Sequence, residues 1–313
     1  MDTLEPPRTR LALPRPIRTL RFLAAWLMPW RPDFRVYAAN SQLCFSVNHR
    51  DAIGRHIAKY GTHEPLLTRW LAGYLEVSRP GIAIDIGANL GWHALHMAVH
   101  QNVDAVIAFE PDPSNVWLLK RNIAQNAIEK VILDCRAVGA TSGIVRLYRY
   151  SRSNTGRHSI AVDHGRGSLQ VPMTSLDEAL NDMGFSNHSI AIIKIDVEGY
   201  EPAVIAGAQQ ALCRADAVVL EYSPNWSHLG KLSSEDMLMS MQASGFTPFV
   251  MRSSGGTVRT SFDALRQFNG SLDVVFVRTE RLAQLAPAMK EGHSSSLPLE
   301  AIAEENKRVK KPL

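Results

Sequence analysis

Two carboxylates stand at the end of an apolar run in the segment IKIDVEGYEP, residues 193–202. The pattern predicts a buried strand, and Lys194, Asp196 and Glu198 alternate along it, so their side chains should share one side of the sheet. One ammonium beside two carboxylates keeps a site near charge balance and separates the pKa values of the acids. Such residues can orient an acceptor and remove its proton, with Asp196 the first candidate; alternatively, the acids only cap the next helix.

A turn with two glycines follows an earlier apolar run, in DIGANLGWH. Asp85 precedes Gly87 by two residues, and Asn89 and Gly91 lead into a predicted helix. Glycine lets the backbone turn sharply and lets a ligand approach closely, and a helix start offers free amide donors. The next apolar run ends at Glu110, where a carboxylate can accept hydrogen bonds from the two hydroxyls of a ribose. The pattern predicts a nucleoside-binding site.

The spacing within this turn favours one nucleoside cofactor over another. A dinucleotide-binding turn reads GxGxxG, whereas this one reads GxxxG with an aspartate in front. A negative charge beside the turn repels a pyrophosphate and suits a ligand with an amino group and a sulfonium. We therefore expect S-adenosylmethionine, and a dehydrogenase that uses NAD stays open as an alternative.

The apolar segments alternate with helical patterns along most of the chain. Short runs rich in Ile and Val predict strands, and they are apolar at nearly every position, which requires cover on both faces. Two departures are a strand pair with a polar loop after the third strand and two closing strands joined by a loop. The predicted fold is α/β, a doubly wound, mostly parallel, seven-stranded sheet with a hairpin insertion after the third strand and an antiparallel terminal pair.

Composition and charge limit the function classes. The chain has 313 residues, 45% of them hydrophobic, and its three cysteines are scattered, which fits a reducing cytoplasm and no metal cage. The net charge of +4 comes largely from the two termini, without the interleaved aromatic and basic residues of a nucleic-acid site, so no nucleic-acid partner is expected.

One N-terminal segment suggests a membrane contact. Residues 17–30, IRTLRFLAAWLMPW, are apolar but too short and too charged to span a bilayer. They could lie at the inner face of a membrane, or pack on the domain or on a partner. Residues 1–50 read as a basic, irregular arm with this one helix, 51–282 as the main domain and 283–313 as a polar tail.

The motifs in order resemble a known family. DIGANLGWHAL, FEPDP, RNIAQN, VPMTSLDEAL and IKIDVEGYEPAVIAGAQQAL, at these separations, resemble the FkbM family of S-adenosylmethionine-dependent methyltransferases, which has the class I, Rossmann-like fold. The resemblance runs from about residue 51 to about residue 278. It implies methyl transfer from S-adenosylmethionine to a hydroxyl of a small molecule or a sugar unit. A binding module without catalysis stays open as another alternative.

The resemblance also implies residue roles. Asp85 would support the methionine end of the cofactor, on a bed shaped by Gly87, Asn89 and Gly91, and Glu110 would bind the ribose. Further positions are a turn at Pro111 and Asp112 and an adenine contact around Arg136 and Ala137.

Several polar residues are weaker candidates. His158, with Asn154 and Ser159, falls in the predicted flap over the cofactor and is an alternative base. Glu221 ends the fifth strand, and Glu64 matches the family's lead-in segment. Three histidines on the first helix of the main sheet have metal-like spacing but no nearby acid cluster, so no metal is predicted; they are His93, His96 and His100.

Overall fold

A computed structural model describes residues 16–17, 33–39, 41–150, 158–227, 232–253, 256–289 and 298–310. Its centre is one eight-stranded sheet. In spatial order the strands are β12 (Thr257–Arg259), β11 (Phe246–Met251), β13 (Leu272–Arg278), β10 (Ala215–Tyr222), β9 (Ile190–Ile195), β3 (Gly81–Ile86), β4 (Val103–Phe109) and β5 (Val131–Asp134). Strands β10, β9, β3, β4 and β5 are parallel, which confirms the doubly wound α/β prediction.

The sheet is buried on both faces because its central strands carry almost no polar side chains. All six residues of β3 and of β9 are buried. Successive side chains point to opposite faces, so Ile84 and Ile193 join one apolar cluster while Ala83 and Ile192 join the other. Helices cover both clusters, as an apolar parallel sheet requires.

The helices follow the strands in the order expected for this class of fold. They are α1 (Ala52–Tyr60), α2 (Pro65–Val77), α3 (Trp92–Ala98), α4 (Pro113–Gln125), α5 (Leu176–Asp182), α6 (Glu201–Ala206), α7 (Gln209–Arg214), α8 (Pro224–Ser227), α9 (Ser234–Ala243), α10 (Phe262–Gln267), α11 (Leu282–Met289) and α12 (Leu299–Lys310). None of the helices in the described ranges has the length and apolar character needed to cross a membrane. The membrane contact suggested for residues 17–30 falls almost wholly outside those ranges.

The third predicted strand, residues 130–138, is divided between two sheets. Its first part is β5, and its second part is β6 (Ala137–Val138), which pairs in a three-stranded sheet with the predicted hairpin, β7 (Gly143–Tyr148) and β8 (Ser168–Thr174). The chain turns between them because the Asp134 carboxylate accepts a hydrogen bond from the Arg136 backbone N–H at 2.9 Å.

The terminal strands pair antiparallel, but their surroundings differ from the prediction. Strand β13 lies between β10 and β11 rather than at the edge. The segment between β11 and β13 was expected to be a loop; it contains β12, the added eighth strand, and α10. The polar N-cap Ser261, which accepts a hydrogen bond from the Ala264 N–H, begins this helix.

Both termini are more ordered than predicted. Two segments expected to be irregular form the paired strands β1 (Asp33–Tyr37) and β2 (Cys44–Asn48), and Asn122 on α4 and Asn126 directly after it accept hydrogen bonds from the β2 backbone. In the predicted polar tail, the apolar side of α12 is buried, because its apolar residues recur at helical spacing. The boundaries at residues 50 and 282 stay predictions.

Candidate active site

A cleft opens at the carboxyl ends of β9, β3 and β4. From β3 the chain adds β4 and β5 on one side of the sheet and later adds β9 and β10 on the other. The direction of winding therefore reverses at β3, and open α/β sheets bind ligands at such a point. The cleft encloses about 820 Å³ of empty space, part of it open to solvent. Its lining includes Ile53, His63, Gly87, Ala88, Asn89, Trp92, His93, Phe109, Glu110, Arg136, Ala137, Val138, Leu147, His158, Lys194 and Asp196.

The glycine turn brings two loops into contact. Gly87 has φ 78°, and a Cβ there would lie 1.9 Å from the backbone oxygen of Asp196, so no larger residue fits. Asn89 follows with φ 51°. Gly91 has φ 90°, but its added Cβ would meet Leu119 and Leu95, so it serves helix packing and is not part of the cleft lining.

Glu110 joins the turn to the start of α4. Its Oε2 accepts a hydrogen bond from the Asn89 N–H and its Oε1 accepts one from the Asp112 N–H, both at 2.8 Å. The side chain is buried but lines the cleft, and burial raises the pKa of Glu110 to about 7. Asp112 is the N-cap of α4 and accepts from the Ser114 N–H, so the structure gives it a helix-capping contact rather than a place in the cleft.

Lys194 lies at the base of the cleft. Its Nζ is 3.1 Å from Asp85 Oδ1 and 3.6 Å from Asp196 Oδ2, and it donates to the Gly87 carbonyl at 3.2 Å. Burial opposes the charge, yet the two carboxylates raise the pKa of Lys194 above its ordinary value. Asp85 is fully buried, is paired with Lys194 and does not line the cleft, and its support of the methionine end of the cofactor stays a prediction.

Asp196 lines the cleft with its carboxylate 37% exposed. Withdrawal from water raises its pKa, Lys194 opposes this, and the Glu64 carboxylate adds to the rise. Asp196 is therefore an accessible carboxylate whose pKa is raised mainly by burial and adjusted by charged neighbours.

Glu198 does not share the cleft with Asp196. Strand β9 ends at Ile195, and Glu198 has φ 51°, followed by Gly199 at φ 95°, so the predicted alternation stops. The buried Glu201 carboxylate holds this turn by accepting from the N–H groups of Val197 and Gly199, both at 3.2 Å.

His158 lines the cleft, but its Nδ1 accepts a hydrogen bond from the Tyr150 N–H at 3.1 Å. The neutral ring therefore carries its proton on Nε2, which lies 3.8 Å from Asp112 Oδ2. Burial lowers the pKa of His158. Such a ring offers an N–H rather than a free lone pair, which disfavours a role as base. Ser159 donates from Oγ to the Glu198 carbonyl at 2.7 Å, and Asn154 lies outside the described residues.

The adenine-side candidates line the cleft together. Ala137 is buried, and Arg136 is paired with Asp134 at 2.7 Å and with Asp182 at 3.1 Å. Glu221 lies outside the cleft lining and accepts a hydrogen bond from Ser271 Oγ.

The histidines of α3 have different surroundings. His93 lines the cleft and is bonded through Nε2 to Glu64 Oε2 at 2.8 Å. His96 Nδ1 lies 2.7 Å from the Trp92 carbonyl. His63 also lines the cleft, and burial lowers its pKa to about 4. No motif in the sequence pointed to His63, since it meets the cleft only through the packing of α2 on α3.

Known proteins resemble this chain over different spans. Hexuronic acid methyltransferase AglP of Haloferax volcanii is 27% identical over 146 residues, 47% of this chain and 57% of the relative. The chain thus spans less than two thirds of that relative. Methyltransferase FkbM of Methylobacillus flagellatus has 14% identity and a TM-score of 0.39, covering 83% of this chain and 60% of that one. TYW2 of M. jannaschii, in complex with AdoMet, has 12% identity and a TM-score of 0.36, covering 79% and 87%.

The family match covers most of the cleft. Residues 85–248, just over half of the 313, match the family described as the methyltransferase FkbM domain. This span contains the glycine turn, Glu110 and the segment from Lys194 to Glu201. With a doubly wound sheet and a cleft at its switch point, as the sequence predicted, the chain belongs to the FkbM methyltransferase domain family.

Proposed function

We propose that the protein transfers the methyl group of S-adenosylmethionine to a hydroxyl oxygen of a sugar acceptor. The observation that carries this proposal is the Asp196 carboxylate, which is accessible in the same cleft as the glycine turn and Glu110. Family membership supports methyl transfer as the reaction class. The relative named a hexuronic acid methyltransferase supports a sugar acceptor.

The cleft residues fit the proposed cofactor. Glu110 is a buried carboxylate whose pKa is raised to about 7. Hydrogen bonds from hydroxyl groups, such as those of a ribose, would stabilise its ionised form. Phe109, Ala137 and Val138 provide an apolar wall for an adenine ring. The tight turn at Gly87 leaves backbone rather than side chains facing the ligand. When bound, S-adenosylmethionine supplies an electrophilic methyl group on a positively charged sulfur.

The chain's own residues position the acceptor. The Asp196 carboxylate accepts a hydrogen bond from a sugar hydroxyl next to the one that is methylated and so aims the reacting oxygen at the methyl carbon. Lys194 fixes Asp196 relative to the turn, because one ammonium contacts both the carboxylate and the Gly87 carbonyl. Since methyl transfer from a sulfonium is an in-line displacement, this positioning is the main contribution asked of the protein.

Calorimetry and labelled transfer test the proposal together. The protein should bind S-adenosylmethionine and not NAD, and it should label an oligosaccharide containing hexuronic acid. The methyl label should survive mild alkali, because a methyl ether is stable where a methyl ester is hydrolysed. Binding of NAD alone would support the dehydrogenase alternative, and cofactor binding without transfer to any hydroxylated acceptor would support the silent binding module.

A further inference from the structure

Glu64 and His93 form an isolated hydrogen-bonded pair at the wall of the cleft. Glu64 directly precedes α2, and His93 is in the first turn of α3. Glu64 Oε2 and His93 Nε2 are 2.8 Å apart. His93 is 4% exposed, and its Nδ1 is buried with no hydrogen-bond partner in the described part of the chain.

The charge on Glu64 fixes which nitrogen carries the proton. Although burial would raise the pKa of Glu64, His63, His93 and Lys194 lower it well below its ordinary value. An ionised carboxylate only accepts hydrogen bonds, so His93 donates from Nε2. In the neutral ring, Nδ1 is then a bare acceptor.

A buried acceptor without a donor is unfavourable, and such groups in native proteins tend to have a ligand or a chemical role. The His93 ring lines the same cleft as Asp196 and Lys194, and the charges of His93 and Glu64 reach Asp196. The hydroxyl next to the one bonded to Asp196 is therefore a suitable donor for Nδ1.

The backbone at Glu64 points to the same role. Glu64 occupies the N-cap position of α2 with φ 41°, a conformation that is costly for a residue with a side chain, and its carboxylate makes no capping bond. Ordinary N-caps use short polar side chains in extended backbone to bond the helix amides. The Glu64 side chain reaches His93 instead, and strain of this kind is concentrated at functional sites.

We propose that His93 is a catalytic residue of the reaction proposed above, the base that removes the acceptor's proton at Nδ1, and that Glu64 is the positioning residue behind it. The inference rests on the proposed function. As the acceptor oxygen forms its bond to the methyl carbon, the O–H proton moves to Nδ1 and the electron pair of the breaking S–C bond stays on sulfur. Glu64 stabilises the resulting imidazolium, and the proton then leaves to water.

Two other bases are less suited to this step. The Asp196 carboxylate already holds the neighbouring hydroxyl, and the Lys194 ammonium 3.6 Å away opposes its protonation, although burial raises its pKa. The His158 Nδ1 lone pair is already used by the Tyr150 N–H. His93 combines a free lone pair with a carboxylate behind it, the arrangement of a general base oriented by an acid.

Nitrogen NMR of the histidine rings tests the pair in the protein without cofactor or acceptor. His93 should show the tautomer protonated at Nε2. In Glu64→Gln part of the population should change tautomer, because a neutral amide can donate to Nε2 as well as accept from it. A wild-type tautomer protonated at Nδ1, or a tautomer ratio unaltered by Glu64→Gln, would overturn the assignment.

Turnover gives the second test. His93→Gln should lower kcat by about 10²- to 10⁴-fold while leaving cofactor affinity within about threefold. Glu64→Gln should lower kcat with cofactor affinity retained, and Glu64→Asp should recover part of the loss, which a purely structural role would not do. His100→Gln, a histidine outside the cleft lining and just beyond the same helix, is the matched control.

An H93Q protein that keeps kcat within about threefold of wild type would remove His93 as the base. If H93Q does not fold, the kcat of E64Q and the tautomer observed by NMR still decide. If wild type methylates no hydroxylated acceptor, the proposed function fails, while the NMR result judges the Glu64–His93 pair independently.

Discussion

Asp85 and Lys194 are direct partners in the parallel pairing of β3 with β9, and Lys194 Nζ lies 3.1 Å from Asp85 Oδ1. Both side chains are buried. The same ammonium reaches the Gly87 carbonyl and the Asp196 carboxylate. One buried charge pair therefore fixes the two loops that form the base of the cleft.

Removing the ammonium should destabilise the protein strongly. Lys194→Met leaves the Asp85 carboxylate buried without its partner, and we expect the free energy of unfolding to fall by about 3–5 kcal/mol in urea titration. The double variant Asp85→Asn with Lys194→Met should recover part of the loss, because no unpaired charge remains. A Lys194→Met protein as stable as wild type would show that the pair does not hold the loops.

Gly87→Ala should disrupt the turn. The added Cβ would lie 1.9 Å from the Asp196 oxygen, so the two loops must separate, and we expect loss of S-adenosylmethionine affinity in calorimetry. The matched control is Gly73→Ala in α2, where an added Cβ meets nothing within 4 Å. It should keep affinity and raise the unfolding free energy by about 0.5–1 kcal/mol, since alanine favours a helix interior. Equal affinity in the two variants would contradict the close approach at Gly87.

Cofactor affinity should depend on pH through Glu110. Its pKa is about 7 in the free protein, and hydrogen bonds from ribose hydroxyls favour the ionised form, so the pKa falls on binding. Affinity should therefore rise as the pH increases towards about 7, by at most about tenfold per pH unit, and level off above it. Calorimetry with S-adenosylhomocysteine across this range measures the slope. Glu110→Gln should flatten it, and an unchanged slope in that variant would assign the titration to another group.

Stability should depend on pH through Glu201. Burial raises its pKa from an ordinary 4.5 to about 7, so the folded state binds this proton more tightly than the unfolded chain does. The unfolding free energy should then decrease as the pH rises from 4.5 to about 7, by at most roughly 3 kcal/mol from this group. Urea titrations of wild type and Glu201→Gln should show a shallower decrease in the variant. Parallel curves would mean that Glu201 does not titrate in this window.

Asp196→Asn should separate an enzyme from a binding module. The amide keeps the shape but removes the charge that orients the acceptor, so we expect kcat to fall by about 10- to 100-fold with cofactor affinity retained. Glu198→Gln is the comparison, because Glu198 lies outside the cleft lining, and its kcat should stay within about threefold. A larger loss of kcat in Glu198→Gln than in Asp196→Asn would show that Glu198 acts in the site.

The cleft could be predicted from the sequence because the ends of the buried strands can be recognised there. Strands β3 and β9 are apolar throughout, so the first polar residues after each one mark the edge of the sheet, and the glycine turn and Asp196 lie there. The position of Glu198 was not predictable by alternation, since the backbone leaves the extended conformation after Ile195.

Contacts between distant helices were also beyond the sequence. Glu64 and His93 are 29 positions apart and meet only because α2 packs on α3. His93 looked like one member of a metal-like spacing, and nothing in the chain distinguishes it from His96 until the Glu64 carboxylate is placed beside it. The periodicity of apolar residues predicts which face of a helix or strand is buried. Which two helices come into contact depends on tertiary packing.

Helix α12 buries Leu299, Ile302 and Ala303 against the same apolar cluster as Val250 and Val258 of the antiparallel end of the sheet. Its Asn306 donates to the Met251 carbonyl at 2.8 Å, and Arg252 pairs with Glu305 at 2.9 Å. Truncation of the chain after residue 282, where the polar tail was predicted to begin, would therefore expose apolar side chains of these strands to solvent. We expect the truncated protein to aggregate and to express poorly.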